Sequence, residues 1–555
     1  MYRNFKLLIV LCSFSYNAFA QDFILNPSSI THPVVASKGM VATQHYLASK
    51  VGEDILSQGG NAYDAAVAVG FALAVVLPRA GNIGGGGFMV MHDAKSNEAF
   101  SIDYREKAPL KASRDMYLND DGSVNSLRST VGYLAIGVPG SVYGMWEVHK
   151  KFGSMEWAEL LQPAIKLASE GFVMSQYMTM TLNSRYKKLS QFPETKDIFY
   201  KDYPIEFNNV LIQADLAQTL TLIAQNGVAG FYEGEVADKI VNAMEKNGGL
   251  ISHRDLKKYR PNWRKPLRSN YKGMNIITMG PPSSGGIHLI QMLNILENYN
   301  LKSFGHNNPR YVALLAEVMK FAYADRSKYL GDPDFYKVPV EELTSKEYAT
   351  AINQKLRLFQ FMIPSPLPSS SIEPGEYMRK ESEETTHYSI ADQYGNIISN
   401  TYTLNSAFGS GVTIEGTGIL MNNEMDDFSA SPGTPNQFGL LGGEANKIVP
   451  EKRPLSSMTP TIVLKDGDPY FATGSPGGSR IITSVLQSIL NIVEFEFEVS
   501  DAILAPRIHH QWYPDVLQLE KSYNSQHAEA LTKKGYEIMK INPATALQIV
   551  MMKNN

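Results

Sequence analysis

Glu381-Ser382-Glu383-Glu384-Thr385-Thr386-His387-Tyr388-Ser389 is where the character of the chain changes. On its N-terminal side lies a stretch rich in Pro and Ser (Pro364, Pro366, Pro368, Ser369, Ser370, Ser371, Pro374, Gly375), read as a flexible linker over 361–384. On its C-terminal side apolar and polar residues alternate at period two, through Tyr388 and Ile390 and then Ile397, Ile398, Tyr402 and Leu404, as half-buried strands do. A cut between Glu384 and Thr385 would make Thr385 an N-terminus at the head of a buried strand. A freed α-amino group has a pKa of about 7.7–8, so near neutral pH it can take the proton of the hydroxyl on its own residue. That is one way of activating a threonine nucleophile. The plainer reading is that Thr385-Thr386 merely favour a strand, and the stretch alone leaves both open.

Downstream the chemistry becomes dense. Asp392-Gln393-Tyr394-Gly395-Asn396 reads as a hairpin turn, and the returning strand carries Thr401, Thr403 and Asn405. The hairpin brings Thr403 and Asn405 beside Thr385. Asn422-Asn423-Glu424-Met425-Asp426-Asp427 gathers acidic groups on a turn. A loop rich in Gly and Pro runs from Phe428 to Leu455, a length typical of a functional lid. Ser456-Ser457 follow with paired hydroxyls. The strand Tyr470–Thr473 then passes through Gly474-Ser475-Pro476-Gly477-Gly478 into a helix over Ser479–Val493. Such a turn aims backbone N–H groups at one spot and can hold an oxyanion. A nucleophile, a base and an anion site in one half of a chain are hard to explain as packing.

Upstream, Gly39–Thr43 reads as a short strand and Tyr46–Gln58 as a helix closed by Gly59-Gly60. Asn61 is placed to cap a buried helix, Ala62–Leu77, that Pro78 ends. Gly81-Asn82-Ile83-Gly84-Gly85-Gly86-Gly87 precedes a strand rather than a helix, which excludes a dinucleotide fingerprint and points to close backbone packing. A strand Ala99–Tyr104 delivers Arg105, whose guanidinium can fork onto a carboxylate. Helices dominate 137–260, and two more are expected at Ile287–Tyr299 and Tyr311–Leu330. Strands, then helices, then strands again describe a layered α/β protein.

The chain has 555 residues, 44% hydrophobic and 19% charged, with a formal net charge of −4. This is a globular composition, without the basic runs of a nucleic-acid binder. Arg3 and Lys6, the apolar run Leu7–Cys12 and Ala18-Phe19-Ala20 read as a signal peptide over 1–20, too short in its apolar part to span a bilayer. The single cysteine, Cys12, falls inside it behind Leu11, so neither a disulfide, a Cys metal site nor a lipoprotein anchor is expected of the exported protein. A periplasmic or secreted location follows.

Taken together the motifs resemble the γ-glutamyltransferase (γ-glutamyltranspeptidase) family of N-terminal-nucleophile hydrolases. The resemblance rests on Asp-Tyr-Arg-Glu-Lys-Ala-Pro (103–109), Pro-Ser-Ser-Gly-Gly (282–286), Thr-Thr-His-Tyr-Ser (385–389) and Thr-Tyr-Thr-Leu-Asn (401–405). Asn-Asn-Glu-Met-Asp-Asp-Phe (422–428), Lys-Arg-Pro-Leu-Ser-Ser-Met (452–458) and Gly-Ser-Pro-Gly-Gly-Ser-Arg (474–480) complete it. It implies a four-layer αββα sandwich of the α/β (α+β) class. It further implies autocatalytic cleavage at Glu384–Thr385 into a large subunit 21–384 and a small subunit 385–555 that stay together as a heterodimer. By motif, Thr385 would be the nucleophile with Thr403 assisting, and Gly477 and Gly478 would form the oxyanion hole. Arg105, Ser456 and Ser457 would hold the substrate α-carboxylate, and Asn405, Glu424 and Asp427 its α-ammonium. His387 shares a strand with Thr385 but is not the implied base; the amine is. No cofactor or metal is implied. The implied substrates are glutathione and other γ-glutamyl amides, with water, amino acids or peptides as acceptors.

The chain departs from the family pattern at three points. Glu424 is Gln in some members, Phe438 stands in the lid where many bacterial relatives use Tyr, and strand-like Leu547–Met552 is followed by Asn555 where members continue through a further hairpin and strand. The competing functions are a glutaryl or cephalosporin acylase of the same superfamily and a non-catalytic paralogue. A glutaryl group has no α-amino group, so the acidic pair Glu424 and Asp427 favours glutamyl.

Overall fold

The computed structural model describes residues 33–362, 365–372, 385–431, 436–437 and 440–553, without the side chains of 358–362. The expected signal over 1–20 with Cys12, the cleavage-site residue Glu384 and the lid residue Phe438 lie outside them.

Before residue 385 the strands of the two main sheets are β1 (Gly39–Thr43), β2 (Gly86–Asp93), β3 (Glu98–Asp103), β4 (Asn262–Arg264), β5 (Leu267–Tyr271) and β6 (Met274–Thr278). After it come β7 (Thr386–Asp392), β8 (Ile397–Thr403), β9 (Thr461–Lys465), β10 (Asp468–Thr473) and β11 (Val550–Met551). One sheet has the order β1-β7-β8-β2-β3-β4 and the other β11-β10-β9-β6-β5, antiparallel throughout. Each sheet therefore interleaves strands from both sides of residue 385, so chain cleavage there would not by itself separate the halves.

The layers follow from alternation along the strands. On β2, Phe88 and Val90 join one core with Ile276, Ile277, Ile462, Val463 and Phe471, strand residues whose side chains serve both faces of the second sheet. Met89 and Met91 face the other way, into the core under α1 (Tyr46–Ser57) and α2 (Ala62–Val76). Every residue of α2 is buried, and Asn61 starts it as expected. Its side chain accepts the N–H groups of Tyr63 and Asp64, and Asp64 accepts the Asn61 N–H at 3.0 Å, a reciprocal capping box. On the far side, α3 (Gly285–Leu296) and α5 (Arg480–Val493) pack together over the second sheet, with α4 (Pro309–Tyr329) against α3. The result is the expected αββα sandwich.

Two local features differ in extent from the sequence reading. The strand-like Leu547–Met552 is laddered at Val550 and Met551, at the sheet edge on β10, and the N–H groups of Gln548 and Met552 donate to the carbonyls of Gly474 (3.0 Å) and Tyr470 (2.8 Å). Residues 365–372, the described part of the segment read as a loose linker after 362, are tied down. The Trp512 indole N–H donates to the carbonyls of Ser369 (2.9 Å) and Ile372 (3.0 Å), and Asp515 accepts the Ser369 N–H at 2.7 Å. Among the described residues no helix is long and apolar enough to cross a membrane, and no group of three or more His, Cys, Asp or Glu is placed to hold a metal ion.

Candidate active site

The site begins with the β7–β8 hairpin. Asp392 builds its turn by accepting the N–H groups of Tyr394 (2.9 Å) and Asn396 (3.0 Å), and Gly395 supplies the left-handed step at φ +91°. The register pairs Thr386 with Tyr402, so Thr385 and Thr403 stand one step beyond the last pair, at the open end of the ladder. Both are buried and line one pocket. The Thr403 hydroxyl oxygen accepts the N–H of Asn405 at 2.8 Å. Asn405 sits at φ +75°, a conformation Asn tolerates, and sends its amide N–H to the Asn423 carbonyl at 3.0 Å. The glycine run before β2 lets backbone approach this strand end. A Cβ on Gly85 would lie 2.1 Å from the Thr403 carbonyl oxygen, and one on Gly86 would lie 2.5 Å from that of Tyr104.

Behind Thr385 runs the turn between β10 and α5. The carbonyls of Gly477 and Gly478 accept the N–H groups of Arg480 (3.0 Å) and Ile481 (3.2 Å), inside the first turn of the helix. Because C=O and N–H are antiparallel across a trans peptide, the Gly478 N–H points out of the helix end. Gly478 lines the pocket. Gly477 stands beside it, at φ +132°, against Thr545. Gly474 opens the same turn because the His387 ring occupies the place of its side chain, 2.2 Å from an added Cβ.

The pocket lining is also charged. Arg105 is buried and gives Nη1 to Glu424, Nη2 to Asp427 at 2.5 Å and to the Leu455 carbonyl at 3.3 Å, and Nε to the Pro454 carbonyl at 3.3 Å. Glu106, fully buried, lies 3.7 Å from the same guanidinium. Neither carboxylate oxygen of Glu106, nor Oε2 of Glu424, has a hydrogen-bond donor among the described residues. Burial pushes Glu106 up to about 7 against the pull of Arg105. Burial also raises Glu424 and Asp427, with Arg105 opposing in both. The motif reading gave Arg105 to one substrate group and Glu424 and Asp427 to the other. Without substrate the three close on one another, since buried charges are tolerated when paired.

Ser456 and Ser457 are held by the Pro282–Gly286 segment. Ser456 exchanges backbone hydrogen bonds with Pro282 (2.9 Å) and Ser284 (2.8 Å), and the Ser283 hydroxyl donates to the Met458 carbonyl at 2.5 Å. Arg326 of α4 reaches the same place: Nε lies 3.0 Å from Ser284 Oγ and Nη2 3.2 Å from Ser457 Oγ. Leu440, Met458 and Ile481 complete the lining, and Leu440 brings the expected lid loop onto the pocket.

The pocket thus brings together Thr385, Thr403, Asn405, Gly478, Arg105, Glu424, Asp427, Ser456 and Ser457. Sequence reasoning missed Arg326, Glu106 and the serine shelf at 283–284. For Arg326 a signal existed: Leu315, Met319 and Ala322 form the buried stripe of α4 and Arg326 continues it, a charge where the spacing demands an apolar residue.

The residues 48–555 match the family model described as Gamma-glutamyltranspeptidase. The chain belongs to the gamma-glutamyltranspeptidase family. It is 47% identical over 525 residues to the glutathione hydrolase proenzyme of Escherichia coli K12, covering 94% of this chain and 90% of that one. The crystal structure of Helicobacter pylori gamma-glutamyltranspeptidase superposes with a TM-score of 0.59 at 46% identity, over 62% of this chain and 97% of the other. A cephalosporin acylase from Bacillus halodurans superposes at 0.80 but with 26% identity, over 96% and 99%. Gamma-glutamyltranspeptidase membership and the acylase likeness both agree with the sandwich described above.

Proposed function

We propose that this enzyme transfers γ-glutamyl groups from glutathione and related amides to water or to an amine acceptor, after cutting its own chain at Glu384–Thr385. The observation that carries this reading is one pocket lined both by Thr385, Thr403 and Gly478 and by Arg105, Glu424, Asp427, Ser456 and Ser457. A γ-glutamyl group has matching parts: a γ-carbonyl for attack and a zwitterionic α-carbon for recognition. In the first step the Thr385 hydroxyl oxygen bonds to the γ-carbonyl carbon while its proton passes to the Thr385 amine. The N–H groups of Gly477 and Gly478 hold the oxyanion, and Thr403 keeps the nucleophile in place. The amine then protonates the leaving nitrogen as the amide breaks, leaving a γ-glutamyl ester on Thr385. Water or an acceptor amine cleaves the ester by the reverse sequence. Asp427, Glu424 and the Asn405 amide oxygen receive the α-ammonium, and Ser456, Ser457 and Arg105 the α-carboxylate.

Division into a large subunit ending at Glu384 and a small subunit starting at Thr385 belongs to the same proposal, as does export to the periplasm or beyond. The purified protein should give two pieces by mass spectrometry, one beginning at Thr385, and release nitroaniline from γ-glutamyl-p-nitroanilide. A single full-length chain with no such activity would overturn the reading. The acylase reading is tested in the same assay, because glutaryl-p-nitroanilide lacks the ammonium that Asp427 and Glu424 would bind. It should be the poorer substrate.

A further inference from the structure

Two guanidiniums line the pocket, and the first has few donors left. Of its five N–H groups, Arg105 commits one each to Glu424, Asp427 and the carbonyls of Pro454 and Leu455. Around it stand Glu106, Glu424 and Asp427, three carboxyl groups sharing one guanidinium. Arg326 also lines the pocket and is itself buried.

A guanidinium can only donate. Both hydroxyls that Arg326 touches, Ser284 Oγ and Ser457 Oγ, therefore accept from it, and each must turn its own proton elsewhere. Ser284 sends its proton to the Ser456 carbonyl at 2.7 Å, which holds the Ser456–Ser457 backbone on its shelf. Among the described residues nothing accepts the Ser457 proton, and Ser457 lines the pocket. Its O–H is thereby directed at the lumen, as a donor sharpened by the positive charge behind it.

We infer that Arg326 is a positioning residue for the carboxylate end of the substrate: it turns Ser457 into a fixed hydrogen-bond donor, steadies Ser456 through Ser284, and supplies the second positive charge that lets an anion enter beside Glu106, Glu424 and Asp427. The inference rests on the reading that the γ-glutamyl α-carboxylate lies at Ser456 and Ser457. It explains why a charged residue interrupts the apolar stripe of α4, and why the fork of Arg rather than the point charge of Lys stands there, since one fork spans both hydroxyls.

The test compares two substrates that differ only in the α-carboxylate, γ-glutamyl-p-nitroanilide and 4-aminobutyryl-p-nitroanilide, on processed protein whose two subunits are verified on a gel. For Arg326→Gln the preference for the γ-glutamyl substrate, as the ratio of kcat/KM values, should fall roughly 10- to 100-fold, the range of a hydrogen bond to a charged group, and the loss should appear in KM. Arg326→Lys should lie between Gln and wild type, and it carries the test if the Gln variant does not process. Equal losses on both substrates would mean that Arg326 only supports the fold, and a preference as strong in the variants as in wild type would mean that it plays no part; either overturns the inference alone. A wild-type enzyme without preference between the two substrates would overturn the underlying reading of Ser456 and Ser457 together with it.

Discussion

His387 Nδ1 lies 2.8 Å from the Thr401 hydroxyl, deep between the two sheets. Its Nε2 lies 3.0 Å from Ser389 Oγ, and Gly474 closes over the ring. The ring packs away from the pocket, whose lining does not include it. Burial lowers its pKa to about 3, so it stays neutral where the enzyme works. His387→Gln, once processed, should keep the ascending limb of the kcat/KM profile, because the proposed mechanism assigns that limb to the Thr385 amine. Loss of that limb, with a 10²–10⁴-fold fall in rate, would make His387 the base. A second consequence concerns stability. A buried neutral His binds fewer protons than the unfolded chain between about 3 and 6.5, so its contribution is present above 6.5 and lost as pH falls. The Gln variant should lose less stability than wild type on acidification through that window, read from urea midpoints.

Thr385→Ala removes the hydroxyl that would attack the preceding carbonyl. It should leave one uncut chain of full mature length while keeping the fold, since both sheets already interleave strands from either side of the cut. Gel mobility and circular dichroism together check this. Two normal subunits from the alanine variant would show that another group performs the cleavage.

Arg105→Ala should do more than weaken substrate binding. It strips the counter-charge from Glu424 and Asp427, both already raised by burial, and should destabilise the fold by about 3–5 kcal/mol, the cost of breaking a buried pair from one side. Adding Glu424→Gln to the same chain removes one unpaired charge and should recover part of that loss. A double-mutant cycle on denaturant midpoints measures the coupling. Additive effects would show that Arg105 and Glu424 do not share the charge balance described.

Glu106→Gln tests the same cluster by pH. A carboxyl held at about 7 keeps a proton that the unfolded chain gives up near 4.5, so wild-type stability falls as pH rises through that window. The Gln variant should lack that fall and exceed wild type above pH 7 by on the order of 1–3 kcal/mol, at about 1.4 kcal/mol per unit. Parallel urea titrations at pH 5 and pH 8 decide it. An equal difference at both values would mean that Glu106 is ionised throughout.

Much of this protein is legible in its sequence, because the legible features are local. The period-two pattern of Tyr388 and Ile390 and of Ile398 and Tyr402, with Asp392-Gln393-Tyr394-Gly395 between, defines a hairpin by turn chemistry, and a hairpin brings its open ends together. Thr385 and Thr403 were therefore neighbours on sequence grounds. The Asn61 cap, the end of α1 at Gly59-Gly60 and the turn into α5 are local in the same sense. Glu424, Asp427, Ser456 and Ser457 could be named from motifs, as types suited to a zwitterion, without any indication of what they touch.

Only the tertiary structure decided how the charges are balanced. Arg105 and Glu424 are 319 positions apart, and Arg326 and Ser457 131 apart. No periodicity or turn rule acts over such distances, whereas a buried charge is governed by whichever groups the fold packs within a few ångströms of it. The fold joined Arg105 to Glu424 and Asp427, left Glu106 without a hydrogen-bond donor among the described residues, and set Arg326 behind Ser457. The alphabet of the site is written along the chain, and its electrostatics exist only where the sandwich closes.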